Sequence, residues 1–141
     1  MHAISATTGK MLWSLQLPHL FTPLSLSPDE RTIYVGGSQT NDLDSYAGAL
    51  FAIDSVTGVL LWQFNTTETV YTNPTIGRDG LIYLPTRNSS RSLRCLGPDG
   101  EQRWNYTFEG TGSMAAPTIS EDGTLFVQFS PGHVGKIFAF D

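Results

Sequence analysis

The segment Leu50-Phe51-Ala52-Ile53-Asp54-Ser55-Val56-Thr57-Gly58-Val59-Leu60-Leu61-Trp62 decides the fold. Its first four residues are apolar and run into the turn former Asp54, which marks a short strand. Asp54 can accept backbone N–H groups two residues on, and Gly58 supplies a positive φ without steric cost. The chain then returns through a second strand that ends on Trp62. This segment is repeated. Met1-His2-Ala3-Ile4-Ser5-Ala6-Thr7-Thr8-Gly9-Lys10-Met11-Leu12-Trp13 aligns with it without a gap, pairing Gly9 with Gly58 and Trp13 with Trp62. Leu93-Arg94-Cys95-Leu96-Gly97-Pro98-Asp99-Gly100-Glu101-Gln102-Arg103-Trp104 follows it with one residue fewer in the turn, so Gly100 stands for Gly58.

The match runs on beyond each tryptophan. Pro23, Pro74 and Pro117 follow, and then Leu24-Ser25-Leu26-Ser27, Thr75-Ile76-Gly77 and Thr118-Ile119-Ser120. An acidic turn and a short apolar run close each unit: Asp29-Glu30 before Ile33-Tyr34-Val35, Asp79-Gly80 before Leu81-Ile82-Tyr83-Leu84, and Asp122-Gly123 before Leu125-Phe126-Val127. The Asp79-Gly80 pair is a type I′ hairpin signal. Residues 137–141 return to the phase of residues 50–54. Units therefore begin at residues 1, 50, 93 and 137: 1–49, 50–92, 93–136 and the start of a fourth at 137–141. The extra length of the first unit lies between Val35 and Leu50, which predicts an elongated hairpin tip there. No apolar stripe of helical period with caps is present.

A four-stranded all-β unit recurring every 40 to 50 residues is the signature of a propeller blade. The sequence thus predicts an arc of about three four-stranded blades. Complete propellers have about four to eight blades, so the expectation is a piece of a larger ring of seven or eight. The rest of that ring would be the first partner of these blades. Residues 137–140 should then lack a hairpin partner within their own unit.

The Ala52-Ile53-Asp54-Ser55-Val56-Thr57-Gly58-Val59-Leu60-Leu61-Trp62 stretch resembles the tryptophan-docking repeat of the quinoprotein alcohol dehydrogenase-like, or pyrroloquinoline-quinone-like, propellers. That family includes quinone-dependent alcohol dehydrogenases, a bacterial outer-membrane barrel-assembly lipoprotein and luminal sensor domains of stress kinases. The resemblance implies that Trp13, Trp62 and Trp104 pack against neighbouring blades near the turns that hold Gly9, Asp54, Thr57, Gly58 and Gly100. All three tryptophans should then be mostly buried. The third unit departs from the motif, with Gly97 where Asp54 stands and Asp99-Gly100 where Thr57-Gly58 stands. Dehydrogenases of the family hold Ca²⁺ over the quinone with Glu, Asn and Asp, often beside a Cys pair. No such set can be matched here, so no cofactor is expected in this chain. Pyrroloquinoline quinone with calcium remains the expectation only if this is a fragment of a quinone-dependent oxidoreductase whose site lies in other blades.

Composition narrows the function further. The net charge is −5, with 8 Lys and Arg against 13 Asp and Glu. That balance argues against a phosphate-binding surface and so against nucleic acid. One Cys excludes an internal disulfide and a Cys-based zinc site. Cys95 occupies the slot of Ala3, Ala52 and Ala139, where a buried small side chain is expected. No apolar run nears the length of a membrane span, and the N-terminus lacks the basic start and apolar stretch of a signal peptide. His2, His19 and His133 share no ligand spacing, and Asn41, Asp42 and Asp44 read as a solvated hairpin tip rather than a calcium loop. Arg87 and Arg91 read as solvated loop residues, while Arg94 should face away from Cys95.

Asn65-Thr66-Thr67, Asn88-Ser89-Ser90 and Asn105-Tyr106-Thr107 are glycosylation acceptors. About one would arise by chance in this composition under the N-x-[ST] rule. Three point to an extracellular or secretory-lumen setting in a eukaryote. The function expected is a non-enzymatic repeat scaffold for protein or ligand binding. The alternatives are the oxidoreductase fragment and a luminal sensor or enzyme-fused module.

Overall fold

A computed structural model describes residues 1–20, 22–40, 47–87, 91–110, 112–131 and 134–141. Among these residues every regular element is a strand: β1 (His2–Ile4), β2 (Met11–Ser14), β3 (Ser25–Leu26), β4 (Thr32–Ser38), β5 (Gly48–Asp54), β6 (Leu60–Thr66), β7 (Thr75–Ile76), β8 (Ile82–Thr86), β9 (Arg91–Leu96), β10 (Gln102–Phe108), β11 (Gly112–Met114), β12 (Thr118–Ile119), β13 (Leu125–Pro131) and β14 (Lys136–Phe140). They form four antiparallel sheets, β1-β2, β3-β4-β5-β6, β7-β8-β9-β10, and a last one in which β11, β12 and β14 all pair with β13. The all-β propeller arc expected from the repeat is what forms.

The sheets are out of phase with the units that begin at residues 1, 50, 93 and 137. The second sheet takes β3 and β4 from the first unit and β5 and β6 from the next. The third sheet straddles its units in the same way. Chain ends follow from that offset. The first sheet holds only the outer hairpin of a blade. The last sheet has its inner strands and β14 but nothing where β6 and β10 stand in the others. Residues 137–140 are consequently not unpartnered: Phe138 pairs with Val127 and Ala139 with Phe126.

Central strands read as continuous apolar runs because both of their faces are covered. In β5, Phe51 and Ile53 pack toward the first sheet with Val35, Trp13 and Leu15. Leu50 and Ala52 turn the other way, onto Ile82, Leu84 and Leu96 of the third sheet. The next interface joins Tyr83, Leu93, Cys95 and Phe108 to Leu125, Val127 and Phe129. Each fully buried Leu, Ile or Phe contributes about 1.5–3 kcal/mol by leaving water. Three layers of such contacts hold the arc together.

Two local expectations are corrected. Gly36, Gly37 and Ser38 belong to β4 rather than to a hairpin tip, pairing with Leu50, Ala49 and Gly48. Gln39 follows β4, its Nε2 donating to the Gly48 and Thr66 carbonyls at 3.1 and 2.7 Å, and residues 41–46 of the expected tip lie outside the described residues. The Asp79-Gly80 turn is not type I′, which needs positive φ at both central residues. Gly80 has φ +82, and Glu30 is the one non-glycine with positive φ among the described residues. Gly80 N–H donates to the Gly77 carbonyl and Gly77 N–H to the Leu81 carbonyl. This is a type I turn closed by a left-handed residue, a common hairpin form.

Candidate functional site

The recurring feature of the fold is the seam where one sheet docks on the next, and it begins with a small residue. Trp13 lies across from Ala3, Trp62 from Ala52 and Trp104 from Cys95. Each pairing carries a register shift beside the tryptophan, between Ala3 and Ile4, Ala52 and Ile53, and Gln102 and Trp104. Such bulges sharpen the twist and re-aim a side chain. The indoles are thereby turned toward the following turn. Trp13 Nε1 donates to the Ser55 carbonyl at 3.0 Å, and Trp62 Nε1 to the Pro98 carbonyl at 3.0 Å. A Cβ on Gly58 would sit 2.6 Å from Trp13 Cδ2, and one on Gly100 2.8 Å from Trp62 Cδ2. With φ of +73 and +83, these glycines are required twice over.

The turn that receives the ring is built by Asp54. Its Oδ1 accepts from Val56 N, Thr57 N and Thr57 Oγ1 at 3.0, 2.7 and 2.7 Å. The Thr57 hydroxyl first, and then the Thr57 backbone N–H, hold the Asp54 carboxyl below its ordinary range. The third unit lacks this aspartate, yet Trp62 meets its turn in the same manner. Gly9 adopts the same φ, +68, with nothing within 4 Å of a Cβ built there.

Trp104 departs from the expected burial. It is 37% exposed, while Trp13 and Trp62 are half-buried. Among the described residues no turn glycine meets its ring, which lies on Phe140, with centroids 6.3 Å apart, and beside Tyr83.

The sequence did not reveal a second seam contact at the inner edge. Ser25 Oγ donates to the Pro74 carbonyl at 2.7 Å, and Thr75 Oγ1 to the Pro117 carbonyl at 2.6 Å. The available signal was a hydroxyl residue soon after each aligned proline. Arginines supply further links. Arg91, expected as a solvated loop residue, begins β9 and donates through Nε to the Gly112 carbonyl of the last sheet. Arg94 does face away from Cys95. Its Nη2 meets Glu68 Oε2 at 2.8 Å and its Nη1 meets Gln102 Oε1 at 2.9 Å. Arg87 is exposed and lies over the Tyr71 ring at 5.8 Å.

The other candidate residues fall as follows. Asn65 and Asn105 are exposed on β6 and β10. Asn88, His133, Asn41, Asp42 and Asp44 lie outside the described residues. Cys95 is buried, and burial pushes its thiol up to about 11. Among the described residues no group of three or more His, Cys, Asp or Glu is placed to hold a metal, and no helix is long and apolar enough to cross a membrane.

An open depression of about 470 Å³ lies between the third and fourth sheets, lined by Ile76, Arg78, Asp79, Tyr83, Ile119 and Asp122. Of its carboxylates, Asp79 and Asp122 are turn-forming groups, and Glu121 meets Arg78 Nη1 at 3.5 Å on the exposed rim. Asp122 accepts from Ser120 Oγ and Thr124 N, which lowers its carboxyl from 3.8 to about 2. The folded state therefore binds this proton less readily than the unfolded chain. Its contribution to stability is complete above about pH 4 and disappears as the pH falls toward 2. A carboxyl-carbon NMR titration should place the Asp122 midpoint near 2. A midpoint at the ordinary value would mean the turn is open in solution.

Among curated proteins none matches the sequence. Solved structures do. BamB from Moraxella catarrhalis superposes with a TM-score of 0.72 at 19% identity, covering 94% of this chain and 37% of that one. A protein of unknown function from Bacteroides caccae superposes with a TM-score of 0.58 at 16% identity, over 92% of this chain and 46% of that one. The chain thus spans less than half the length of either. At these identities the likeness establishes the propeller fold. A family model described as outer membrane protein assembly factor BamB matches residues 1–141, the whole chain, and the chain belongs to that family of propeller repeats.

Proposed function

We propose that the chain is a repeat scaffold whose blades present loops to a protein or small-ligand partner, without chemistry of its own. One observation carries this reading. The polar groups that recur along the repeat are committed to joining sheets or closing turns: the indoles of Trp13 and Trp62, the hydroxyls of Ser25 and Thr75, and the turn carboxylates of Asp54, Asp79 and Asp122. What remains for recognition is the loops that connect the strands. The likeness to an assembly factor supports a protein partner over a small ligand.

The test separates this reading from a quinone-dependent oxidoreductase. The full-length protein is titrated with pyrroloquinoline quinone and Ca²⁺, and alcohol oxidation is followed with an artificial electron acceptor. The expected result is no change in quinone absorbance and no turnover. A saturable spectral shift, or turnover above the protein-free rate, would overturn the scaffold reading.

A further inference from the structure

The two outermost strands, β6 and β10, raise a problem that the scaffold reading leaves open. Each is seven residues long and pairs on one side alone, β6 with β5 and β10 with β9. A long edge offers its unpaired N–H and C=O groups to any other strand, and proteins ordinarily blunt such edges with charge, proline or brevity. These two have little of that. Leu60-Leu61-Trp62-Gln63-Phe64-Asn65-Thr66 carries no charge and no proline, and Gln102-Arg103-Trp104-Asn105-Tyr106-Thr107-Phe108 carries only Arg103. Runs that combine aromatic and β-branched residues with little charge are the kind that aggregate when exposed.

Each of these strands carries a glycosylation acceptor. Asn65 and Thr67 are exposed, as are Asn105 and Thr107. Gln63 Nε2 donates to Asn65 Oδ1, which engages the amide oxygen and not Nδ2, the atom that a sugar would take. The contrast with the inner edge is informative. Asn73-Pro74-Thr75 has the same outline, but Pro74 disqualifies it as an acceptor. There the Thr75 hydroxyl is engaged with the Pro117 carbonyl in the seam between sheets, where no sugar would fit. Two of the three acceptor triplets lie on the outer strands, and the inner triplet is blocked by its proline.

We propose that Asn65 and Asn105 are N-glycosylated and that the two glycans cover the free edges of the second and third sheets. In the transfer, the asparagine Nδ2 forms a bond to the anomeric carbon of a lipid-diphosphate-linked oligosaccharide. The bond from that carbon to the diphosphate oxygen breaks, the lipid diphosphate leaves with the electron pair, and the amide proton passes to the transferase base. A bulky, hydrated sugar in mid-strand keeps a second strand from approaching. The proposal is independent of any partner and places the protein in the lumen of a eukaryotic secretory pathway.

The chain is expressed behind a secretion signal in eukaryotic cells, with Asn88→Gln as the background so that only the two edge sites are read. Peptide N-glycosidase in heavy-oxygen water should lower the mass and label both Asn65 and Asn105 as aspartate. Thr67→Ala should abolish the glycan at Asn65, and Thr67→Ser should keep it, with neither change touching the asparagine itself. Deglycosylating the already folded protein avoids any effect on folding, and sedimentation should then show larger species with the circular dichroism of the sheets retained. Unchanged mass at both sites overturns the modification. Full glycosylation with the same monomer before and after its removal overturns the edge-covering role.

Discussion

Glu68→Ala should cost about 3–5 kcal/mol, a large part of the roughly 5–15 kcal/mol by which a domain is stable. The carboxylate meets Arg94 at 2.8 Å between the second and third sheets, where the two side chains are 6% and 15% exposed. Water has little room to take the place of the lost partner. The guanidinium would keep Gln102 on Nη1, but its buried Nε already has no hydrogen-bond partner, so the charge would be left nearly uncompensated. The aligned positions in the neighbouring repeats are Phe51 and Phe138, which shows that this slot accepts an apolar side chain. Glu68→Leu combined with Arg94→Met, which removes both charges, should therefore lie within about 1 kcal/mol of the parent. Urea denaturation followed by tryptophan fluorescence measures all three proteins. A loss below about 1 kcal/mol for Glu68→Ala would mean that the pair is solvated, because exposed pairs are worth no more than that.

This pair was invisible in the sequence for a physical reason. Glu68 and Arg94 are 26 residues apart and obey no periodicity, so only the docking of two sheets brings them together. The tryptophan seam was legible because it is local. Strand, turn glycine and Trp recur within a dozen residues, and a positive φ under a ring leaves few choices but glycine. The phase of the sheets was misread because loop length does not mark it. Residues 39–47 separate β4 from β5 within one sheet, whereas only residues 109–111 separate β10 from β11 of the next sheet. The hydroxyl-to-proline contacts of Ser25 and Thr75 were hidden by abundance. In a chain with 13 Ser and 16 Thr, a hydroxyl near a proline attracts no notice.

Gly58→Ala should cost about 2–4 kcal/mol, and Gly9→Ala only about 1 kcal/mol, although the two glycines have nearly the same backbone conformation. Their φ values are +73 and +68, so the intrinsic penalty of a Cβ is shared. The surroundings differ. At Gly9 a Cβ meets nothing within 4 Å, whereas at Gly58 it would lie 2.6 Å from the Trp13 ring. To make room, Trp13 must lift from the turn, losing both the packing of its indole and the bond from Nε1 to the Ser55 carbonyl, itself worth about 0.5–1.5 kcal/mol. The excess at Gly58 should accordingly depend on Trp13. In a double-mutant cycle, once Trp13→Ala has removed the ring, adding Gly58→Ala should cost no more than Gly9→Ala does. The coupling between Trp13 and Gly58 is then the energy of this one contact between the sheets, separate from the apolar packing around it. Equal costs at Gly9 and Gly58 in the parent protein would show that the ring does not rest on the turn in solution, and the seam would lose its principal contact.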